Sequence, residues 1–115
     1  MTEARIVLTT AGTHAEARKL AHLLVERRLA ACINIIPRIE SVYRWQDVVE
    51  QAEEFLLVMK TTQDRFADLR NAIQQNHSYE VPECVALTVE DGSEKYLNWI
   101  AEMVSPVKNS SSNEK

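Results

Sequence analysis

Residues 31–61, ACINIIPRIESVYRWQDVVEQAEEFLLVMKT, decide the fold of this chain. The stretch holds no glycine, one proline and one candidate turn, Gln46 and Asp47. Its apolar and β-branched residues predict a single long β-hairpin, with arms at 33–45 and 48–60. Aspartate suits the tip because it tolerates the left-handed backbone that a tight turn can require.

The first arm alternates along its length, which predicts that its odd positions share one face of a strand. These positions are Ile33, Ile35, Pro37, Ile39, Tyr43 and Trp45. At ~3.3 Å per residue, each arm would reach about 45 Å.

The remaining elements follow from apolar periodicity and from cap and turn residues. They are a strand at 5–9, a helix from Thr13 to about 28, a second helix from Thr61 to about 77, a strand at 84–89 and a last helix capped by Ser93. The order β-α-β-β-α-β plus a terminal helix is typical of an α+β, ferredoxin-like sandwich. Right-handed crossovers then predict the sheet order 4-1-3-2, with both main helices on one face.

The first helix would be near 24 Å long at ~1.5 Å per residue, about half the length of the hairpin. The distal half of the hairpin would therefore project beyond its own helices, with Tyr43 and Trp45 exposed. Exposed apolar strands invite pairing with other chains, so we expect a symmetric oligomer in which each hairpin packs on a neighbour.

Composition narrows the class of protein. The chain has 115 residues, which suit one domain at 1–107, followed by a polar tail at 108–115 that we expect to be disordered. A net charge of −4 argues against nucleic-acid binding, and no apolar run approaches the roughly 18 residues of a membrane span.

The N-terminus lacks the features of a signal peptide, and Cys32 and Cys84 are predicted at opposite sheet edges as free thiols. We expect a cytoplasmic protein.

Several blocks resemble the CutA family of divalent-cation tolerance proteins. They are ARKLAHLLVERRLAACINI at 17–35, SVYRW at 41–45, KTT at 60–62, HSYEVPE at 77–83 and YLNWI at 96–100. The resemblance implies a ferredoxin-like subunit in a homotrimer similar to those of PII signalling proteins. It also implies a link to copper and other divalent metals.

The chain departs from the copper-binding members of that family at four places. Thr9 stands where they have a cysteine, Asn76 replaces the first of two histidines, Ser78 replaces a proline, and Asp47 replaces the usual glycine at the hairpin tip. Of that metal-binding constellation only His77 is retained. The resemblance therefore implies copper or another divalent cation that is weakly bound.

His77 is the candidate metal ligand, because imidazole suits copper and zinc. Its alternative role is that of a histidine at a helix C-terminus. Acidic Glu80 and Glu83 could add oxygen ligands or simply be solvated. Tyr43 and Trp45 are predicted trimer-interface residues.

Cys32 could supply a thiolate, although an unpaired buried cysteine usually packs as a small hydrophobe. A possible cleft between subunits joins it with Lys60, Tyr79, Glu80 and Glu83. For Lys60, a surface ion pair is the simpler reading.

No phosphate-binding glycine loop, C-x-x-C, H-E-x-x-H or G-x-S-x-G element is present in the sequence, so we expect no catalytic residues. Two functions remain. One is a trimeric protein that binds divalent metal ions in a metal response. The other is a PII-like signalling trimer that binds a small anionic ligand, or an unknown partner protein, in its clefts.

Overall fold

The computed structural model describes residues 2–106. Its elements are β1 Ala4–Ala11, α1 His14–Glu26, β2 Cys32–Trp45, β3 Val48–Thr62, a short 3-10 turn Gln63–Arg65, α2 Phe66–Asn76, β4 Val85–Thr88 and α3 Glu94–Met103. The predicted tail at 108–115 lies outside the described residues. No helix in the described part is both long and apolar enough to cross a membrane.

The four strands form one antiparallel sheet in the order β2-β3-β1-β4, which confirms the predicted order. The fold is therefore mixed α and β, with a four-stranded antiparallel sheet and three helices. Cys32 begins one edge strand, and Cys84 precedes the other. Both cysteines are free, as the sheet order required.

The main core lies between one face of the sheet and the helices α1 and α2. Its fully buried side chains include Leu20 and Leu24 from α1, Leu69 and Ile73 from α2, and Val7, Leu57 and Met59 from the sheet. We call this the helix-bearing face. Helix α3 contacts β1 and β3, and its buried residue Ile100 and its C-cap Val104 are not part of this core, so α3 lies against the opposite face of the sheet.

The predicted alternation of the first hairpin arm is wrong beyond its middle. The pairing register shifts between Ile36 and Ile39, so Pro37 and Arg38 together stand opposite Phe55 alone. Arg38 has φ 63°, the left-handed backbone found at such bulges. One extra residue reverses the alternation, because side chains switch faces at every position.

As a result, the distal arm turns its odd positions to the other side. Ile33 and Ile35 pack on the helix-bearing face, whereas Tyr43 and Trp45 share the opposite face with Ile36. We call this second side, beyond the part that α3 covers, the open face. The odd positions of β2 therefore lie on the helix-bearing face before the bulge and on the open face after it.

The hairpin itself is confirmed, with 14 residues in β2 and 15 in β3. Gln46 and Asp47 form the turn with φ 51° and 67°, the double left-handed conformation of a type I′ turn. The longest dimension of the molecule is 54 Å, against 30 and 22 Å for the other two. The hairpin accounts for this elongation.

The predicted start of the second helix is wrong. Thr61 is fully buried in β3, where its hydroxyl donates to the Leu29 carbonyl at 2.8 Å instead of capping a helix. Helix α2 begins at Phe66, after the 3-10 turn. Ser93 does stand at the N-cap of α3, but its side chain makes no capping hydrogen bond.

Replacing Thr9 by valine is expected to stabilise the protein by about 1 kcal/mol, measured by chemical denaturation at fixed chain concentration. The Thr9 hydroxyl is buried in the core without a hydrogen-bond partner in the described part of the chain. Valine keeps the shape of the side chain and removes the unpaired group. Thr61→Val is the matched control, and it should destabilise because its hydroxyl is bonded. A less stable Thr9→Val variant would contradict this assignment.

Candidate functional site

His77 follows α2 directly and is held on both ring nitrogens by the backbone. Nε2 lies 2.6 Å from the Thr10 carbonyl oxygen, and Nδ1 lies 3.0 Å from the Tyr79 amide nitrogen. A carbonyl can only accept and an amide N–H can only donate, so Nε2 carries the proton and Nδ1 accepts. The side chain is fully buried. In this conformation His77 has no lone pair left for a metal ion.

Ser78 fixes the next position of the loop to helix α1. Its amide donates to Glu16 Oε2 at 2.8 Å, and its hydroxyl donates to Oε1 at 2.9 Å. A proline at this position could make neither bond, because it has no N–H and no hydroxyl. The departure from the family pattern at Ser78 is therefore used to hold the loop.

Tyr79 ties the same loop to the hairpin. Its hydroxyl donates to Glu54 Oε2 at 2.6 Å. Burial, followed by the hydrogen bond and the charge of Glu54, raises the pKa of Tyr79 well above its usual value, so the phenol stays protonated and donates. Glu54 is only 7% exposed. No lysine or arginine among residues 2–106 lies within salt-bridge distance of its carboxylate.

A cleft of about 750 Å³ lies between the 77–83 loop and the distal hairpin. Its wall includes the four carboxylates of Glu50, Glu54, Glu80 and Glu83, and we call it the acidic cleft. Arg44 is its only basic residue in the described part of the chain. Grouped negative charge raises the local concentration of cations and disfavours anions. The cleft is therefore electrostatically suited to a cation.

Five of the predicted site residues meet in or around this cleft. Tyr43, Trp45, Tyr79, Glu80 and Glu83 all line it. The aromatic members come from the hairpin and the loop, so the cleft has apolar walls beside its carboxylates.

Three predicted residues do not line the cleft, and besides His77, described above, these are Cys32 and Lys60. Cys32 and Lys60 are partners at the base of the hairpin, and the Lys60 ammonium bonds to the side chain of Asn34. Lys60 lies six positions along β3 from Glu54, which corresponds to roughly 20 Å. Within one chain Lys60 thus takes no part in the cleft. Its meeting with Tyr79 across a subunit boundary stays a prediction.

Two residues of the site were not predicted from the sequence. They are Glu54, the most buried glutamate of the acidic cleft, and Glu16. Neither was predicted as a site residue, since Glu54 lies on the returning arm of the hairpin and Glu16 in the first turn of a helix. A signal for Glu54 was available, because a proline inside a long strand suggests a bulge. A bulge at Pro37 would have placed Glu54 on the same side as Tyr43. For Glu16, its role as a capping residue concealed the side-chain contact with Ser78.

The carboxylates of one chain do not form a complete metal centre. Within residues 2–106, no three histidine, cysteine, aspartate or glutamate side chains come close enough together to hold a metal ion. The donors of the cleft are oxygen atoms, which suit hard divalent cations better than copper. An ion there would need water molecules or groups from another chain to complete its coordination.

Comparisons with known proteins agree with the fold and extend it. A family model described as CutA1 divalent ion tolerance protein matches residues 5–103. The divalent-cation tolerance protein CutA of Thermus thermophilus is 45% identical over 97 residues, covering 84% of this chain and 94% of that protein. Human protein CutA is 39% identical over 94 residues, covering 82% of this chain but 52% of that protein. The chain spans about half the length of such plant and vertebrate relatives.

Solved structures give the same result. The Thermus thermophilus divalent cation tolerance protein superposes with a TM-score of 0.84 at 44% identity, over 86% of this chain and 96% of the other. CutA from Synechococcus elongatus superposes with a TM-score of 0.86 at 38% identity, over 91% and 93%.

Proposed function

Because the chain belongs to the CutA1 divalent ion tolerance family, we propose that it is a homotrimeric protein that binds divalent metal ions weakly as part of a metal response. The binding place is the acidic cleft. The observation that carries this proposal is the buried Glu54 carboxylate, which faces a cleft with three further glutamates and has no basic partner in the described part of the chain. The role is binding rather than catalysis.

The ligand atoms in the acidic cleft determine how strongly each metal ion binds. Carboxylate oxygens favour hard cations such as Mn²⁺, whereas copper prefers nitrogen and sulfur. His77 has both nitrogens engaged, and Cys32 lies at the far end of the hairpin. We therefore expect copper to bind more weakly than it does to nitrogen and sulfur ligands, although a given site generally binds Cu²⁺ more tightly than Mn²⁺.

We propose that assembly into a trimer supplies the metal ligands that a single chain lacks. We propose a ferredoxin-like subunit in a PII-like trimer, with the open face and the distal hairpin turned to the neighbours. Exposed apolar side chains support this, namely Ile36, Val42, Tyr43, Trp45, Val48, Val49, Val85 and Leu87. An apolar surface of this extent favours burial against another chain. Groups from the neighbour would complete the coordination of the cation.

The alternative of a small anionic ligand in the same cleft is weaker. Four glutamates against one arginine would repel an anion. Lys60, the residue that favoured an anion in the sequence, lies outside the cleft of its own chain. For the compartment we propose the cytoplasm, where two unpaired cysteines are the usual state.

Calorimetric titration with Mn²⁺, Zn²⁺ and Cu²⁺ tests the cation site. Glu54→Gln is expected to weaken Mn²⁺ binding by about tenfold or more, because a charged ligand becomes neutral while its oxygen can still accept from Tyr79. Glu53→Gln is the matched control. Glu53 is the adjacent glutamate on β3, is exposed and points to the opposite side of the strand. No heat from the wild-type protein, or equal affinities for wild type and Glu54→Gln, would refute the site.

A further inference from the structure

We propose that the Tyr79 hydroxyl competes with the cation for the Glu54 carboxylate, so that cation binding releases Tyr79 and loosens the 77–83 loop. This inference rests on the proposed function and adds its regulation. Tyr79 would lower the affinity of the site for the cation. Its release on cation binding would make a surface loop less tightly held. The contacts around the phenol give the argument in three steps.

First, Tyr79 occupies the place where a cation would bind. Its hydroxyl is 2.6 Å from Glu54 Oε2, and the carboxylate is buried with no basic side chain of residues 2–106 beside it. A buried carboxylate with one neutral donor is poorly compensated, because desolvation of a charge is expensive. A divalent cation compensates that charge better than a hydroxyl. A cation bound at Oε2 would remove the lone pair and the charge that hold the phenol.

Second, the phenol is closely enclosed on its other side. A Cβ atom added at Gly12 would lie 3.0 Å from the Tyr79 hydroxyl oxygen, so glycine leaves just enough room for it. The Tyr79 ring also packs on the His77 ring, with centroids 4.6 Å apart. A hydroxyl displaced from Glu54 therefore has no free space toward β1. It must move outward, together with the loop.

Third, the loop has few other attachments. His77 bonds to Thr10, and Ser78 bonds to Glu16, so the beginning of the loop stays fixed without Tyr79. Beyond Tyr79 the loop carries Glu80, Val81 and Glu83, all exposed. Loss of the Tyr79 bond would free this second part.

The Tyr79→Phe variant distinguishes a hydroxyl that competes with the cation from one that stabilises the site. It removes the hydroxyl and keeps the ring. If the hydroxyl competes, Mn²⁺ should bind Tyr79→Phe roughly fivefold more tightly, the factor that corresponds to about one net hydrogen bond. A hydroxyl that merely supports the site, or one that ligates the ion, would make binding weaker or leave it unchanged. Either result overturns the proposal.

Two further variants complete the test. Tyr96→Phe is the matched control, since Tyr96 lies on α3, outside the cleft, and the affinity of this variant for Mn²⁺ should not change. Gly12→Ala should tighten Mn²⁺ binding like Tyr79→Phe, because its methyl group presses on the phenol. Hydrogen exchange of the Tyr79 amide, which donates to His77 Nδ1, should rise when Mn²⁺ is added to the wild type, and unchanged exchange counts against the release. Absence of Mn²⁺ binding by the wild type would refute the proposed function as well, whereas normal binding without these differences would refute the competition alone.

Discussion

His77→Ala is expected to lower the free energy of unfolding by about 2–4 kcal/mol, because it leaves two backbone groups without partners. The Thr10 carbonyl loses the Nε2–H donor, and the Tyr79 amide loses the Nδ1 acceptor. The buried imidazole also leaves a void beside the Tyr79 ring. Urea denaturation of wild type and variant at equal chain concentration measures the loss.

His22→Ala is the control for this experiment. His22 lies exposed on α1, so its replacement should change stability by no more than about 0.5 kcal/mol. The comparison also separates the two roles considered for His77. A ligand role alone would reduce metal affinity and leave the stability of the metal-free protein unchanged. That outcome would contradict the structural role of His77.

Trp45→Asp is expected to convert the proposed trimer into monomers at micromolar chain concentration. The substitution puts a charge on the open face at the end of the hairpin, where we propose contact with a neighbour. Burying an unpaired carboxylate in an apolar interface costs several kcal/mol, and a symmetric trimer repeats that cost at each contact. Sedimentation velocity should show a fall from three chains per particle to one.

Val25→Asp is the matched control for the assembly. Val25 and Trp45 are both 40% exposed, but Val25 lies on α1, on the other side of the sheet. This variant should remain trimeric. A wild-type protein that sediments as a monomer, or a trimeric Trp45→Asp variant, would contradict the proposed contact.

Local chemistry made most of the fold predictable. The β-branched residues of the hairpin, the turn at Gln46 and Asp47, and the helix start at Thr13 all act within a few residues. The Thr13 hydroxyl accepts from the Glu16 amide at 3.1 Å, as expected of a threonine that begins a helix. The sheet order then followed from the handedness of the crossovers, which is nearly invariant.

The errors arose where a contact between distant parts overrides a local signal. Thr61 has the spacing of a helix cap, but a bond to Leu29, 32 positions earlier, keeps it in β3. The bulge at Pro37 and Arg38 depends on how β2 meets β3, so an alternation count along β2 alone does not reveal it. Both effects belong to tertiary pairing rather than to propensity.

The candidate site was less predictable for the same reason. The sequence singled out Tyr79, Glu80 and Glu83, which do line one cleft. It could not assign the nitrogens of His77, because their partners Thr10 and Tyr79 come together only in the folded chain. It also passed over Glu54, whose burial depends on the 77–83 loop.

The bulge in β2 separates two tasks within a single strand. Before it, Ile33 and Ile35 contribute to the core of their own chain, and after it Tyr43 and Trp45 face outward on the opposite side. Substitutions in the first half act on the folding of the subunit, whereas substitutions in the second half act on its surface. Sequence change can therefore adjust the proposed contact between subunits while the interior of each subunit is preserved.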